Sequence, residues 1–134
     1  MKILVTGANG QLGAALKEVL EKRDDIESFF LSRKEMPLEQ TLFLQDILGM
    51  YQPDVIIHAA AYTAVDNAET QIELADQVNH RASEEIAQYC RLHHARLIAI
   101  STDYVFDGTA SVPQIEDAQV NPINVYGKTK LLGE

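Results

Sequence analysis

Two blocks of side chains near the end of the chain are equipped for chemistry. One is Ser101-Thr102-Asp103-Tyr104-Val105-Phe106-Asp107-Gly108; the other is Tyr126-Gly127-Lys128-Thr129-Lys130. Tyr126 and Lys130 are one helical turn apart, so their side chains share a helix face. A phenol beside an ammonium, with a hydroxyl from Thr102 at a strand end, can protonate a carbonyl oxygen as hydride reaches its carbon. Tyr-x-x-x-Lys is common by chance. Its weight here comes from the Ser-Thr-Asp before it and a glycine loop far upstream.

That loop is Gly7-Ala8-Asn9-Gly10-Gln11-Leu12-Gly13. It follows Lys2-Ile3-Leu4-Val5-Thr6, a short apolar run that reads as a buried strand. It precedes Leu12, Ala15, Leu16, Val19 and Leu20, which recur at helical spacing. Strand, glycine turn and helix are the context that a dinucleotide-binding loop requires. Gly7 suits the tight turn, Gly10 a close approach to a pyrophosphate, and Gly13 the packing of helix on strand. The free amides at the helix start would face the phosphates.

The elements that must hold these residues alternate along the chain. Ile26 to Leu31 reads as a second strand, and Leu38 to Tyr51 as a helix stopped by Pro53. Asp54 to His58 reads as a third strand, Asn67 to Leu92 as a helix, and Leu97 to Ile100 as a fourth strand. Residues 103–123 are irregular, and a last helix starts near Val125. Near-continuous apolar strands between helices predict an α/β, doubly wound parallel sheet, Rossmann-like, with strand order 3-2-1-4. Each candidate group then follows a strand: Gly7 the first, Arg33 the second, Ala61, Tyr62 and Thr63 the third, Thr102 and Asp103 the fourth. In such sheets ligands bind at the strands' C-terminal ends.

At 134 residues the chain is one domain. Its net charge of −9 argues against a nucleic-acid or anionic-membrane surface, so a phosphorylated ligand would be held by local amides and a few cations. The single Cys90 cannot form an internal disulfide and fits a reducing compartment. With no apolar run of membrane-spanning length, the cytoplasm is the expected location. His58 reads as structural. His93-His94 has no third ligand in view, so no metal site is expected. Asp66 and Glu69 read as helix-start acids. Asn79 reads as a surface residue.

With these residues in place, the chain resembles the extended short-chain dehydrogenase/reductases, and within them the dTDP-4-dehydrorhamnose reductase family. The resemblance rests on GANGQLG at 7–13, PDVIIHAAAYTAVDNAE at 53–69, STDYVFDG at 101–108 and NPINVYGKTKLLGE at 121–134. It implies that Gly10, Gln11 and Leu12 offer the pyrophosphate loop and that Ala61, Tyr62 and Thr63 lie along the cofactor. It implies that Tyr126 is the general acid and that Lys130 binds the nicotinamide ribose and lowers the phenol's pKa, and it offers Asn79 a second reading, as the organiser of a relay water, which an asparagine on the corresponding helix is in related reductases. Thr102 would bond the sugar's C4 oxygen, with Asp103 beside it at the substrate. The implied reaction is hydride transfer from NADPH or NADH to the C4 ketone of dTDP-4-dehydro-L-rhamnose, a step toward cell-surface polysaccharide.

Two departures stand out. Where the family places an aspartate near the adenosine, this chain has Pro37, with Leu38 next, so a Leu38 contact would be made by backbone or packing. Arg33 instead suits the 2′-phosphate of NADP, or is a solvated loop residue. The chain also has about half the family's length and stops at Glu134. The resemblance places later strands and a substrate domain outside residues 1–134, so this stretch alone is expected to be inactive; the fourth strand, an apolar edge with unpaired backbone groups, and the short last helix are expected to make it self-associate. Two other readings are open. A nucleotide-sugar epimerase shares the glycine loop and YGKTK, although Asp103 to Asp107 tells against it. A non-catalytic subunit would resemble the regulatory β subunit of methionine adenosyltransferase.

Overall fold

A computed structural model describes the whole chain, Met1–Glu134. Four strands, β1 (Lys2–Thr6), β2 (Glu27–Leu31), β3 (Val55–His58) and β4 (Arg96–Ala99), form one parallel sheet. The doubly wound fold is as expected, but the order is β2-β1-β3-β4. The third strand does not lie outside the second, as 3-2-1-4 requires; it crosses back and pairs with the far side of β1.

Burial accounts for that order. Ile3, Leu4 and Val5 are all buried, so β1 is the strand whose two faces are most thoroughly covered. Only Leu31 is buried in β2, the pattern of an edge strand. The β1–β3 register runs from Ile3↔Val55 to Thr6↔His58 and is held at both ends. At one end the Lys2 amide donates to the Asp54 carboxylate at 2.7 Å and the Asp54 amide to the Lys2 carbonyl at 2.9 Å. At the other, Thr6 Oγ1 and His58 Nδ1 pair at 2.8 Å. The order 2-1-3-4 is the other common doubly wound arrangement, and its ligand crevice lies between β1 and β3.

Alternation sends neighbouring side chains to opposite faces. Leu4 and Ile56 join α2 (Leu44–Tyr51) and α5 (Ala82–His93) in the larger core, around Leu44, Leu48, Ile86 and Tyr89. Ile3 and Val5 meet Leu16 and Leu20 of α1 (Gln11–Leu20) on the other face. β4 forms the second edge, where Ile98 is half exposed.

Two helices depart from the sequence pattern. α2 begins at Leu44, after a 3₁₀ turn at Thr41–Phe43, because the Gln40 amide turns back onto the Pro37 carbonyl. It ends at Tyr51, with Gln52 left-handed (φ 49°) before Pro53. The long helix expected over 67–92 is broken into α3 (Val65–Ala68), α4 (Ile72–Asp76), a π-helical turn at Gln77–Arg81, and α5. The first break occurs where both the amide and the hydroxyl of Thr70 bond the Asn67 carbonyl, closing a turn in place of a continuing helix. α6 (Val125–Leu132) follows the irregular stretch.

Leu48 has no exposed surface, whereas Leu42 is 89% exposed. Leu48→Ala should therefore cost about 2–5 kcal/mol in urea denaturation, and Leu42→Ala under about 0.5 kcal/mol. Equal costs would show that the larger core is not where stability resides.

Candidate functional site

β1 delivers the chain into the glycine loop. Gly7 takes φ +75°, and a Cβ there would lie 2.9 Å from the Ala60 amide nitrogen, so the loops after β1 and β3 touch through backbone. A Cβ on Gly13 would come within 2.2 Å of the Gly7 carbonyl, so only glycine lets α1 start this close to the strand. Gly10 caps α1, and the Ala14 amide closes its first turn on the Gly10 carbonyl at 2.9 Å. The amides of Gln11, Leu12 and Gly13 are then first-turn donors without an intrahelical acceptor, the arrangement that receives an anion.

A cleft of 510 Å³ opens at this point, above the β1/β3 crevice. Gly7, Gly10, Gln11, Leu12, Arg33, Leu38, Ala61, Tyr62 and Thr63 all line it; Gly13 stands behind the loop as its support. Leu38 is 5% exposed and belongs to the larger core, so it meets the cleft by packing. Arg33 is not a free loop cation. Its Nε and an Nη donate to Glu39 Oε1 at 2.9 and 2.7 Å, while its side chain stays 73% exposed. Burial works to raise the Glu39 carboxyl, but the bonds and charge of Arg33 outweigh it and hold the group below its ordinary pKa. Glu39 was not singled out from sequence. Its one signal is an acid six positions after a basic residue, which is no signal until a turn brings the two together.

The residues suited to proton transfer form a second cluster beside the cleft. Thr102 follows β4 and caps a short 3₁₀ turn at Asp103–Val105: its Oγ1 accepts from the Tyr104 amide at 3.3 Å and donates to the Asp103 carboxylate at 3.2 Å. Asp103 is exposed. Tyr126 is 8% exposed, packed with Ala68 and Ala75 and edge-on to Tyr104 at 5.4 Å. Lys130 is 7% exposed and donates from Nζ to the Ile100 carbonyl at 2.6 Å. Burial pulls the Lys130 ammonium below an ordinary lysine pKa, with Glu134 partly opposing. Tyr62 joins the two regions: it lines the cleft and packs against the Tyr126 cluster.

Three further residues support this cluster. His58 is buried, and burial together with the charge of Lys130 lowers its pKa to about 4, so it is neutral at physiological pH. Glu69 does not serve the start of its own helix; its carboxylate accepts from the Val125 amide at 2.8 Å, at the first turn of α6. Asn79 is 1% exposed, not a surface residue, and its side-chain amide bonds the Tyr62 backbone and Thr129. No group of three His, Cys, Asp or Glu side chains is placed to hold a metal, and no helix is long and apolar enough to cross a membrane.

All 134 residues match the family model described as the RmlD substrate binding domain. The chain belongs to this family. A dTDP-4-dehydrorhamnose reductase of Burkholderia thailandensis is 45% identical over the whole chain, which covers 44% of that relative. A reductase so named from Escherichia coli K12 is 36% identical, with 46% of its length covered. Among solved structures, a dTDP-4-dehydrorhamnose reductase of Clostridium acetobutylicum superposes with a TM-score of 0.94 at 41% identity, over 99% of this chain and 47% of that one. The Bacillus anthracis reductase, solved in complex with NADP, gives 0.92 at 36% identity, over 98% and 47%. The chain thus spans slightly less than half the length of its relatives and matches their N-terminal half.

The His58 pKa yields a prediction of definite sign. An unfolded histidine titrates near about 6.5, so between that value and about 4 the unfolded chain binds more protons than the folded one. Stability should fall as pH drops through this window, by an amount of order 3 kcal/mol for the full gap. His58→Gln should flatten that part of the curve, read from urea midpoints at several pH values. An unchanged slope in the variant would assign the effect to other groups.

Proposed function

We propose that residues 1–134 form the NAD(P)H-binding portion of a reductase that converts the C4 ketone of dTDP-4-dehydro-L-rhamnose to the alcohol. One observation carries the reading: the anion-receiving start of α1 and the buried Tyr126–Lys130 pair meet at the same end of the sheet, joined through Tyr62. The family membership and the relatives named as dTDP-4-dehydrorhamnose reductases support the sugar assignment.

The residues present suit a dinucleotide. The close backbone approach at Gly7 and Gly13 leaves the first-turn amides open to a pyrophosphate, a contact that does not depend on the negative overall charge. Arg33 lines the cleft with an exposed guanidinium, and a 2′-phosphate bound there would take over one of its bonds to Glu39. A reduced nicotinamide supplies the hydride when bound. The protein's part is the proton: Tyr126 gives its phenolic hydrogen to the oxygen that becomes the C4 hydroxyl, and Thr102 turns its one hydroxyl hydrogen from Asp103 to the same oxygen. The Lys130 ammonium, one helical turn along, is the cation on the same helix face as the phenolate that remains.

Calorimetric titration of the chain should show weak uptake of NADPH and NADH. Arg33→Ala should weaken NADPH by about tenfold or more and NADH little, since a charged hydrogen bond contributes about 1.5–3 kcal/mol. Glu39→Gln should shift preference toward NADPH by removing a negative charge beside the phosphate. Equal losses for both nucleotides in Arg33→Ala would remove the 2′-phosphate role, and no uptake of either at millimolar levels would remove the cofactor reading.

When the chain is completed with the C-terminal half of the Burkholderia relative, dTDP-4-dehydrorhamnose turnover should appear. Tyr126→Phe should then lower kcat by about 10²–10⁴ with little change in nucleotide affinity. Near-normal turnover by that variant would exclude Tyr126 as the acid.

A further inference from the structure

The helix that carries Tyr126 and Lys130 must hold a fixed relation to the wall of the cleft, because a misplacement of about 1 Å can cost about a hundredfold in rate. Apolar packing of Tyr126 against Ala68 and Ala75 sets a separation, but such contacts are non-directional and leave a helix free to slide or rotate. Hydrogen bonds are directional. A buried chain of them runs between the two regions. Asn79 Oδ1 accepts from the Tyr62 amide at 2.8 Å, and Asn79 Nδ2 donates to the Tyr62 carbonyl at 3.2 Å, so one side chain grips both backbone groups of a cleft residue. The same Nδ2 donates to Thr129 Oγ1 at 3.1 Å, and Thr129 Oγ1 donates to the Tyr126 carbonyl at 3.0 Å. Asn79 is 1% exposed and Thr129 4%.

Two details indicate a built device. Asn79 lies in the π-helical turn at Gln77–Arg81, and such one-turn widenings cost regular hydrogen bonding and recur at functional sites. Thr129 occupies the motif position just before Lys130, where a helical threonine hydroxyl has two χ1 options; the Asn79 donor favours one.

We propose that Thr129 is a positioning residue: through Asn79 it locks the Tyr62 wall of the cleft to α6, so that a nucleotide seated against Tyr62 also steadies Tyr126 and Lys130. The second half of this statement rests on the cofactor reading above; the mechanical link does not.

Amide hydrogen exchange on the 134-residue chain, followed by NMR, tests both halves. Thr129→Val keeps the shape and removes the hydroxyl; Thr129→Ser keeps the hydroxyl. Leu16→Ala, on the opposite face of the sheet, serves as a general destabilisation control. Without ligand, Thr129→Val should speed exchange of the Tyr62 amide and of the α6 amides by about tenfold, the equivalent of one lost buried bond. The amides of Leu4 and Ile56 should hold their wild-type rates, and Thr129→Ser should behave as wild type. With NADPH added, α6 should gain protection in wild type and Thr129→Ser but not in Thr129→Val. A Tyr62 amide unaffected by Thr129→Val, or affected equally by Leu16→Ala, overturns the link. Protection of α6 by NADPH in Thr129→Val overturns the transmission. If wild type takes up no NADPH, the cofactor reading and the transmission fall together, while the ligand-free comparison still decides the link.

Discussion

The C-terminal closure of the β1–β3 pair is the constraint on which the rest of the site depends. Thr6 Oγ1 pairs with His58 Nδ1 and also accepts from the Ala60 amide at 3.2 Å, so one hydroxyl ties the last residue of β1 to the chain leaving β3. This holds the two exits side by side. Gly7 can then press its backbone against Ala60, and the cleft opens between the two loops. A parallel sheet leaves its C-terminal backbone groups to be satisfied by whatever follows. Here the first residues after each strand fill that need and form the walls of the cleft.

Electrostatics at this end of the sheet is local. The protein is strongly acidic, yet Tyr126 is packed among Ala68, Ala75, Tyr62 and Tyr104, and the nearby buried groups are a neutral His58 imidazole influenced by Lys130 and the Lys130 ammonium itself. Burial disfavours the charge of both His58 and Lys130, and the Lys130 charge lowers His58 further, to about 4, while Glu134 partly sustains the ammonium. Lys130 is thereby the cation beside Tyr126, aimed by the Ile100 carbonyl at the end of β4. At the far side of the cleft Glu39 holds Arg33, so the one strongly basic group lining the cleft is already engaged.

The placement of α6 draws on residues from every part of the chain after β3. Glu69 receives its first amide, Asn124 caps it at 2.7 Å, Asn79 and Ile100 hold Thr129 and Lys130, and Gly127 packs against the Tyr104 carbonyl so closely that a Cβ would fall 2.2 Å from it. The conspicuous motifs of the sequence, AVDNAE, STDYVFDG and VYGKTK, are thus parts of one mount.

Much of this was legible in the chain itself, because local rules govern it. Apolar runs of strand length, a glycine turn leading into helical periodicity, and a Tyr–Lys pair one turn apart are set by backbone sterics and side-chain period, and they placed the four strands, the glycine turn and the helix that carries Tyr126 and Lys130 along the sequence. What the sequence left undecided depends on which surfaces meet. The strand order follows from the burial of β1 on both faces against the half-exposed β2, a comparison between elements that no single window contains. Arg33 meets Glu39 only because of the turn at Pro37–Gln40, and Glu69 caps a helix fifty-six positions downstream. Asn79 reads from the sequence as a surface residue or, by resemblance, as the organiser of a relay water. Only the packing of α6 over the π-helical turn buries it, and a buried amide must then find partners, which Tyr62 and Thr129 supply.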